Sequence, residues 1–247
     1  MRNLDLEILI NRELNTAAFQ DYAPNGLQVE GRPNIQRIVT GVTACQALLD
    51  AAVKEQADAI IVHHGYFWKN EAAVICGMKR NRIKTLLSND INLYGYHLPL
   101  DSHPIMGNNA QLAQALGIRM IGKVQPLVPH GEFEQPLTGD ALQQHIAQCL
   151  SRNVLYFGDN APAYIRRVAW STGGGQHFIE SAARFGVDAF ISGEVSEQTI
   201  HIAQEMGINF FAAGHHATER GGVKTLGEWL AQYHGFRVTF IDIPNPA

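Results

Sequence analysis

The sequence predicts an α/β protein of two duplicated, interlocked α/β units with mainly parallel sheets and a short inserted segment between them. Three observations carry this expectation. Short β-branched runs alternate with helical patterns along most of the chain, the texture of a mainly parallel sheet. A shift of about 130 residues lays one strand-helix-strand stretch on another without a gap, placing Gln46 on Gln176, Ala52 on Ala182, Asp58 on Asp188 and Ala59 on Ala189. Both stretches end at polar residues in the same place, His63 and His64 in the first and Gly193 and Glu194 in the second.

The elements follow in order. A helix opens the chain, and Pro24, Asn25 and Gly26 signal a turn before LQVEG. IVTGV is a strand, QALLDAAVKEQ a helix, and DAIIV a strand that runs into His63 and His64. INLYGYH is the next strand, ahead of Asp101, and NNAQLAQALG the helix after it. From about residue 120 to 163 the texture changes, with Pro126, Pro129, Pro136 and Gly139, a helical stretch (DALQQHIAQCL) and a strand (VLYF). The second unit repeats the scheme: strand VAWS, a turn at Gly173, Gly174 and Gly175, helix QHFIESAARFG, strand DAFIS, strand INFFAAGHH before Glu219, and helix GVKTLGEWLAQ. The predicted division is a first half over 1–120, a short linker or inserted lobe over 121–163, and a second half over 164–247.

Composition narrows the function. Apolar residues make up 46% and charged ones only 17%, below the roughly 25% of ordinary soluble domains, which excludes a disordered chain. A formal net charge of -4 gives no basic excess for counterion-driven nucleic-acid binding, leaving nucleic acid a weakly supported partner. Arg80, Arg82, Lys84, Arg166 and Arg167 read as solvated faces rather than a basic lining. Three widely spaced cysteines, Cys45, Cys76 and Cys149, form no C-x-x-C pair, so neither a disulfide framework nor a thiolate zinc site is expected and a reducing, cytoplasmic setting fits. Asp5, Glu7, Arg12 and Glu13 interrupt the N-terminal apolar residues, and no later run approaches a bilayer span, so no membrane association is expected. Histidine is the outlier, with 11 residues.

Strands of a parallel sheet deliver functional side chains at their carboxyl ends, and the candidates sit there repeatedly. His63 and His64 end DAIIV, His97 and Asp101 follow NLYGY, Glu194 follows DAFIS, and His215, His216 and Glu219 follow NFFAAG. Successive strand side chains alternate, so adjacent histidines imply two metal ions or a strand that ends between them. His97 with Asp101 and His215 with Glu219 share an i, i+4 spacing that places both groups on one face of a helix. Imidazoles and carboxylates without thiolate suit zinc, iron, manganese or nickel rather than calcium. Five protein ligands leave two ions with open water positions, the mark of a catalytic site. His130, His145, His177, His201 and His234 read as capping or surface residues. The three glycines read as a tight turn more readily than a phosphate cradle. Tyr66, Phe67 and Trp68 either wall a pocket for a flat base or pack in the core or a subunit contact. Glu194 and Glu197 are proton-carrier candidates, Glu197 reading better as a solvated helix start.

At PNGLQV, His63-His64, the loop from His97 to Asp101 with Gly107 and Asn108, Ser192-Gly193-Glu194, and above all GHHATE from Gly214 to Glu219, the chain resembles the GTP cyclohydrolase type 2 proteins, also called NIF three-like proteins. The resemblance runs nearly end to end. It implies a toroidal homohexamer with two divalent metal ions per subunit, held by His63, His64, Asp101, His215 and Glu219, and His97 as a cavity histidine. The activity implied is a metal-dependent hydrolase acting on a nucleotide or related phosphorylated small molecule, with His97 or Glu194 moving protons. The alternative is a non-catalytic, metal-stabilised ring that binds or regulates, for instance in DNA damage response and repair.

Overall fold

The computed structural model describes residues 1–247, which form two compact units: Met1–Met106 with Gly222–Ile243, and Gly107–Gly221 with Pro244–Ala247. The fold is α/β with two sheets, as predicted. No helix is long and apolar enough to cross a membrane.

In the first unit the sheet holds β1 (Gly26–Val29), β2 (Arg37–Thr43), β3 (Ala59–His64), β4 (Asn92–Gly95) and β11 (Arg237–Phe240) in the order β1-β4-β3-β2-β11. β4, β3, β2 and β11 run parallel, and β1 is an antiparallel edge strand. β3 is covered on both faces, which is why it reads as a continuous apolar run. Its Ala59 and Ile61 pack with Leu6 and Ile10 of α1 (Asn3–Glu13) and with Val223, Leu226 and Leu230 of α9 (His215–His234). Its Ile60 and Val62 face the other way, onto Leu48, Leu49 and Ala52 of α2 (Gln46–Lys54) and Ile83 and Leu86 of α3 (Gly77–Ser88). Each of the buried leucine, isoleucine and valine side chains contributes about 1.5–3 kcal/mol by leaving water. The sheet therefore has helices on both faces, and α4 (Leu98–Ser102) follows β4 at the carboxyl edge.

The second unit begins with α5 (Asn108–Leu116) and holds a six-stranded sheet. β8 (Ile165–Ser171), β9 (Ala189–Ser192) and β10 (Asn209–Ala212) are parallel neighbours. β6 (Val128–Leu137) adds antiparallel to β8, β5 (Arg119–Gln125) to β6, and β7 (Leu155–Phe157) to β10. α6 (Gly139–Leu150), α7 (Ile179–Phe185) and α8 (Glu197–Met206) complete the unit.

The two sheets repeat one hydrogen-bonding device at the amino ends of their central strands. Asp58 Oδ2 accepts from the backbone N–H groups of Gln36 and Arg37, both at 2.9 Å. Asp188 Oδ2 accepts from those of Arg166 and Arg167 at 2.9 and 2.7 Å. Asn92 Nδ2 donates to the Asp58 carbonyl at 3.1 Å, and Asn209 Nδ2 to the Asp188 carbonyl at 3.0 Å. Apolar patterning is common to all such sheets, but a matched aspartate clamp is not, and it fits a duplicated unit.

The compact units depart from the contiguous division expected at residues 120 and 163. The stretch 121–163 is built into the second sheet, because the Pro- and Gly-bearing residues form the β5–β6 hairpin and β7 pairs with β10. The C-terminal strand β11 pairs with β2 in register Val238 to Ile38, so residues near 240 belong with the first unit.

Candidate metal centre

The carboxyl end of β3 delivers two adjacent histidines whose rings come together, their centroids 4.6 Å apart. His63 is 1% exposed and His64 half-buried. His63 Nδ1 lies 2.9 Å from the Tyr96 carbonyl oxygen. A carbonyl only accepts, so Nδ1 carries a proton and Nε2 is the nitrogen left to face the site. His64 Nδ1 lies 3.1 Å from Thr43 Oγ1, its neighbour in the β2–β3 ladder.

His97 follows β4 and precedes α4, whose first turn carries Asp101. The Asp101 N–H donates to the His97 carbonyl at 3.1 Å, the i, i+4 helical relation read from the spacing. Asp101 is 8% exposed, and its Oδ1 lies 3.4 Å from His63 Nε2. His97 is fixed by a residue 76 positions away. Its Nδ1 donates to Asp21 Oδ1 at 2.9 Å, and its backbone N–H to Asn25 Oδ1 at 2.8 Å. Asp21 also accepts from the Leu98 N–H at 2.9 Å, the Tyr22 N–H at 2.7 Å and Asn25 Nδ2 at 3.0 Å. Burial pushes the Asp21 carboxyl up, but the bonds from His97 and Asn25 and the charge of His97 outweigh it and hold the pKa down at about 2.

Ring nitrogens of His63, His64 and His97 lie within 4.8 Å of one another. Three imidazoles at that separation, two of them with Nδ1 against an oxygen acceptor and Nε2 turned away from it, are able to hold a borderline divalent ion. An oxygen acceptor on the far ring nitrogen is the usual support of a metal-binding histidine.

The second unit assembles its own group. α9 begins at His215, earlier than the helix expected from residue 222, so His215 and Glu219 sit one turn apart on one helix. His215 Nδ1 lies 2.7 Å from Glu194 Oε1 and Nε2 3.1 Å from Glu219 Oε2. Burial lowers the imidazole's pKa, yet the hydrogen bonds and charges of Glu219 and Glu194 raise it to about 9. Gln176 Nε2 donates to Glu194 Oε2 at 3.3 Å, so Glu194 acts in this structure as the residue that orients His215. Glu197 is exposed at the start of α8.

The Gly-rich turn packs against this group. The Gly173 N–H donates to Thr218 Oγ1 at 3.0 Å, and its carbonyl accepts from the Gly193 N–H at 2.9 Å. Gly173 has φ +63°, and a β-carbon there would collide with the Glu219 carboxylate. The turn is tight because Glu219 and His215 occupy the space, and Gly173 offers no N–H to a phosphate.

Over residues 1–246 the chain matches the family described as Duf34/NIF3 (NGG1p interacting factor 3). The chain belongs to the Duf34/NIF3 family. It is similar over the full length of both chains to proteins named GTP cyclohydrolase 1 type 2 homolog, 68% identical in Yersinia pestis and 66% identical in Escherichia coli strain K12. Among solved structures it is similar to protein ybgI, described as of unknown function, with 66% identity, TM-score 0.99 and full coverage of both chains. It is similar also to TTHA1606 from Thermus thermophilus, with 30% identity, TM-score 0.92 and full coverage of both.

In this Duf34/NIF3 chain, sequence reasoning missed Asp21, Asn25 and Gln176. Asn25 lay inside the turn signal, and Asp21 beside it, but nothing local in the sequence points that loop at His97. The aromatic triplet splits: Tyr66 is buried and donates its hydroxyl to the Ala44 carbonyl, whereas Trp68 stays near the imidazoles.

Proposed function

We propose that the protein is a dinuclear metal-dependent hydrolase acting on a nucleotide or related phosphorylated compound. The observation that carries the reading is the three-imidazole cluster of His63, His64 and His97, with the protons of His63 and His97 fixed on Nδ1 by Tyr96 and Asp21. Two divalent ions, of zinc, iron, manganese or nickel, would be held by His63, His64 and Asp101 together with His215 and Glu219. Such ions supply Lewis acidity and make a water acidic enough to ionise near neutral pH.

The chain's own residues do the rest. Asp21 keeps the His97 ring in one orientation and tautomer, and Glu194 does the same for His215. His97 and Glu194 are the proton carriers of the reading. The relatives' name, GTP cyclohydrolase 1 type 2 homolog, favours a nucleotide among possible substrates. The reading places the protein in a reducing cytoplasm, which suits its three free cysteines. It also assembles the chain into a homohexameric toroid, which low surface charge and more than half-exposed Val74, Ile75 and Met78 favour.

The test is metal content and turnover together. Purified protein is expected to carry close to two divalent ions per chain by elemental analysis, and the double variant His63→Ala with Glu219→Ala to carry none. A screen of nucleotides and phosphoesters is expected to show turnover that the double variant abolishes. Full metal content in that variant would sink the metal assignment. Metal without any turnover would leave the non-catalytic binding or regulatory ring as the function.

A further inference from the structure

Beside the three imidazoles stand two aromatic rings whose exposure the core does not explain. Tyr22 is 53% exposed and Trp68 half-buried. The Trp68 ring centroid is 5.0 Å from that of His97 and 6.0 Å from that of His64, and the Tyr22 ring is 5.3 Å from His97. Tyr22 and Trp68 lie 6.3 Å apart with planes only 30° from parallel. Both come from loops that are held in place. The Lys69 N–H donates to the Tyr22 carbonyl at 2.8 Å, tying the two loops together. Trp68 Nε1 donates to the Gly65 carbonyl at 3.2 Å, which orients the indole.

The loop that carries Trp68 is also strained. Phe67 takes φ +65°, a left-handed conformation unfavourable for a bulky residue. Glu71 Oε2 holds it there by accepting the N–H groups of Phe67 and Trp68 at 2.7 and 3.2 Å. Lys79 in turn anchors Glu71 at 3.3 Å and sits over the Phe67 ring. An ion pair, a strained residue and an indole hydrogen bond therefore all fix one ring beside the histidines.

We infer that Tyr22 and Trp68 form a stacking platform for a planar nitrogen heterocycle, the ring class of nucleobases, and set its position against the metal centre. The exposed Tyr22 ring and the half-buried Trp68 ring, inclined 30° to one another, offer π-faces to a flat ring. The adjoining imidazoles of His64 and His97 favour a ring with polar edge atoms over a hydrocarbon. This deepens the hydrolase reading by naming the substrate's ring, and Trp68 and Tyr22 are its specificity-determining residues.

The test is calorimetric titration of the metal-loaded full chain with guanosine monophosphate, inosine and ribose 5-phosphate, repeated after chelator treatment. The two ring-bearing probes are expected to bind and ribose 5-phosphate to bind at least about tenfold more weakly. Trp68→Ala and Tyr22→Ala are each expected to weaken the ring-bearing probes about tenfold, and Trp68→Phe, which keeps a π-face, by less than about threefold. Circular dichroism and mass in solution confirm that each variant folds and assembles. Equal binding of ribose 5-phosphate, no binding of either ring probe, or Trp68→Ala and Trp68→Phe that bind like the parent would overturn the platform. Trp68 variants that change only the oligomeric mass would overturn it too, assigning the rings to a subunit contact. Ring binding without turnover would remove the hydrolase reading and keep the platform; turnover of a ringless phosphoester untouched by Trp68→Ala would do the reverse.

Discussion

Asp21 and Glu194 occupy corresponding roles in the two units, each giving a carboxylate to the Nδ1 of one histidine, His97 and His215. Replacing Asp21 by Ala removes the acceptor that fixes the His97 tautomer. Metal affinity is expected to fall about 10- to 100-fold, the usual cost of losing such a support, read by competition with a chromogenic chelator. The His215 pKa, about 9 against an ordinary 6.5, gives a pH prediction for metal-free protein. A group whose folded pKa is raised contributes stability that is full below pH 6.5 and lost as pH rises through about 9. Chelator-treated protein is therefore expected to lose melting temperature between pH 7 and 9.5, and a His215→Gln variant to lose clearly less over that interval. At this scale, the histidines were legible because strand ends mark them. Asp21 was not, because its partner lies 76 residues on and a loop's direction is set by tertiary packing alone.

Elements were legible where the apolar period was strong. The parallel strands β2, β3, β8 and β9 and the helices α2 and α5 fall where alternation and helical spacing put them. The β5–β6 hairpin was read as linker because Pro126, Pro129 and Pro136 interrupt its pattern; Pro126 lies in the connecting turn, Pro129 at the start of β6 and Pro136 where the pairing of β6 with β8 is irregular, places where a strand accommodates proline. The short helix α4 has only five residues, too few to show a period. The turn before the 3-10 segment at Gln176 shows how tightly one element can constrain another. Gly173→Ala must adopt φ +63° and enter the space of the Glu219 carboxylate. It is expected to cost at least about 1 kcal/mol in denaturant unfolding and to weaken metal binding. Gly174→Ala is the control: its nearest neighbour would be Glu194 Oε2 at 3.7 Å, an ordinary contact, and its effect should be small. Equal losses in the two variants would argue against the collision.

For the whole molecule, duplication makes the chain's order in space differ from its order in sequence. A contiguous division at residues 120 and 163 was a reasonable expectation from the 130-residue repeat, yet β11 returns to the first sheet and pairs in parallel with β2. No local pattern announces that pairing, since residues 237–240 expose half their side chains. The proposed ligands come from equally distant parts of the chain, His63, His64 and Asp101 on one side and His215 and Glu219 on the other. Under the proposed assignment, metal would bind the native state alone and stabilise it by mass action, about 2.7 kcal/mol at a free concentration 100 times Kd. For a chain of this length each kcal/mol corresponds to about 2–4 °C. Metal stripping is therefore expected to lower the melting temperature by several degrees, by more as the metal concentration compared against is raised. The His63→Ala, Glu219→Ala double variant should melt at one temperature with or without metal. A stripped wild-type protein that melts where the loaded one does would mean that the five residues do not act as one centre.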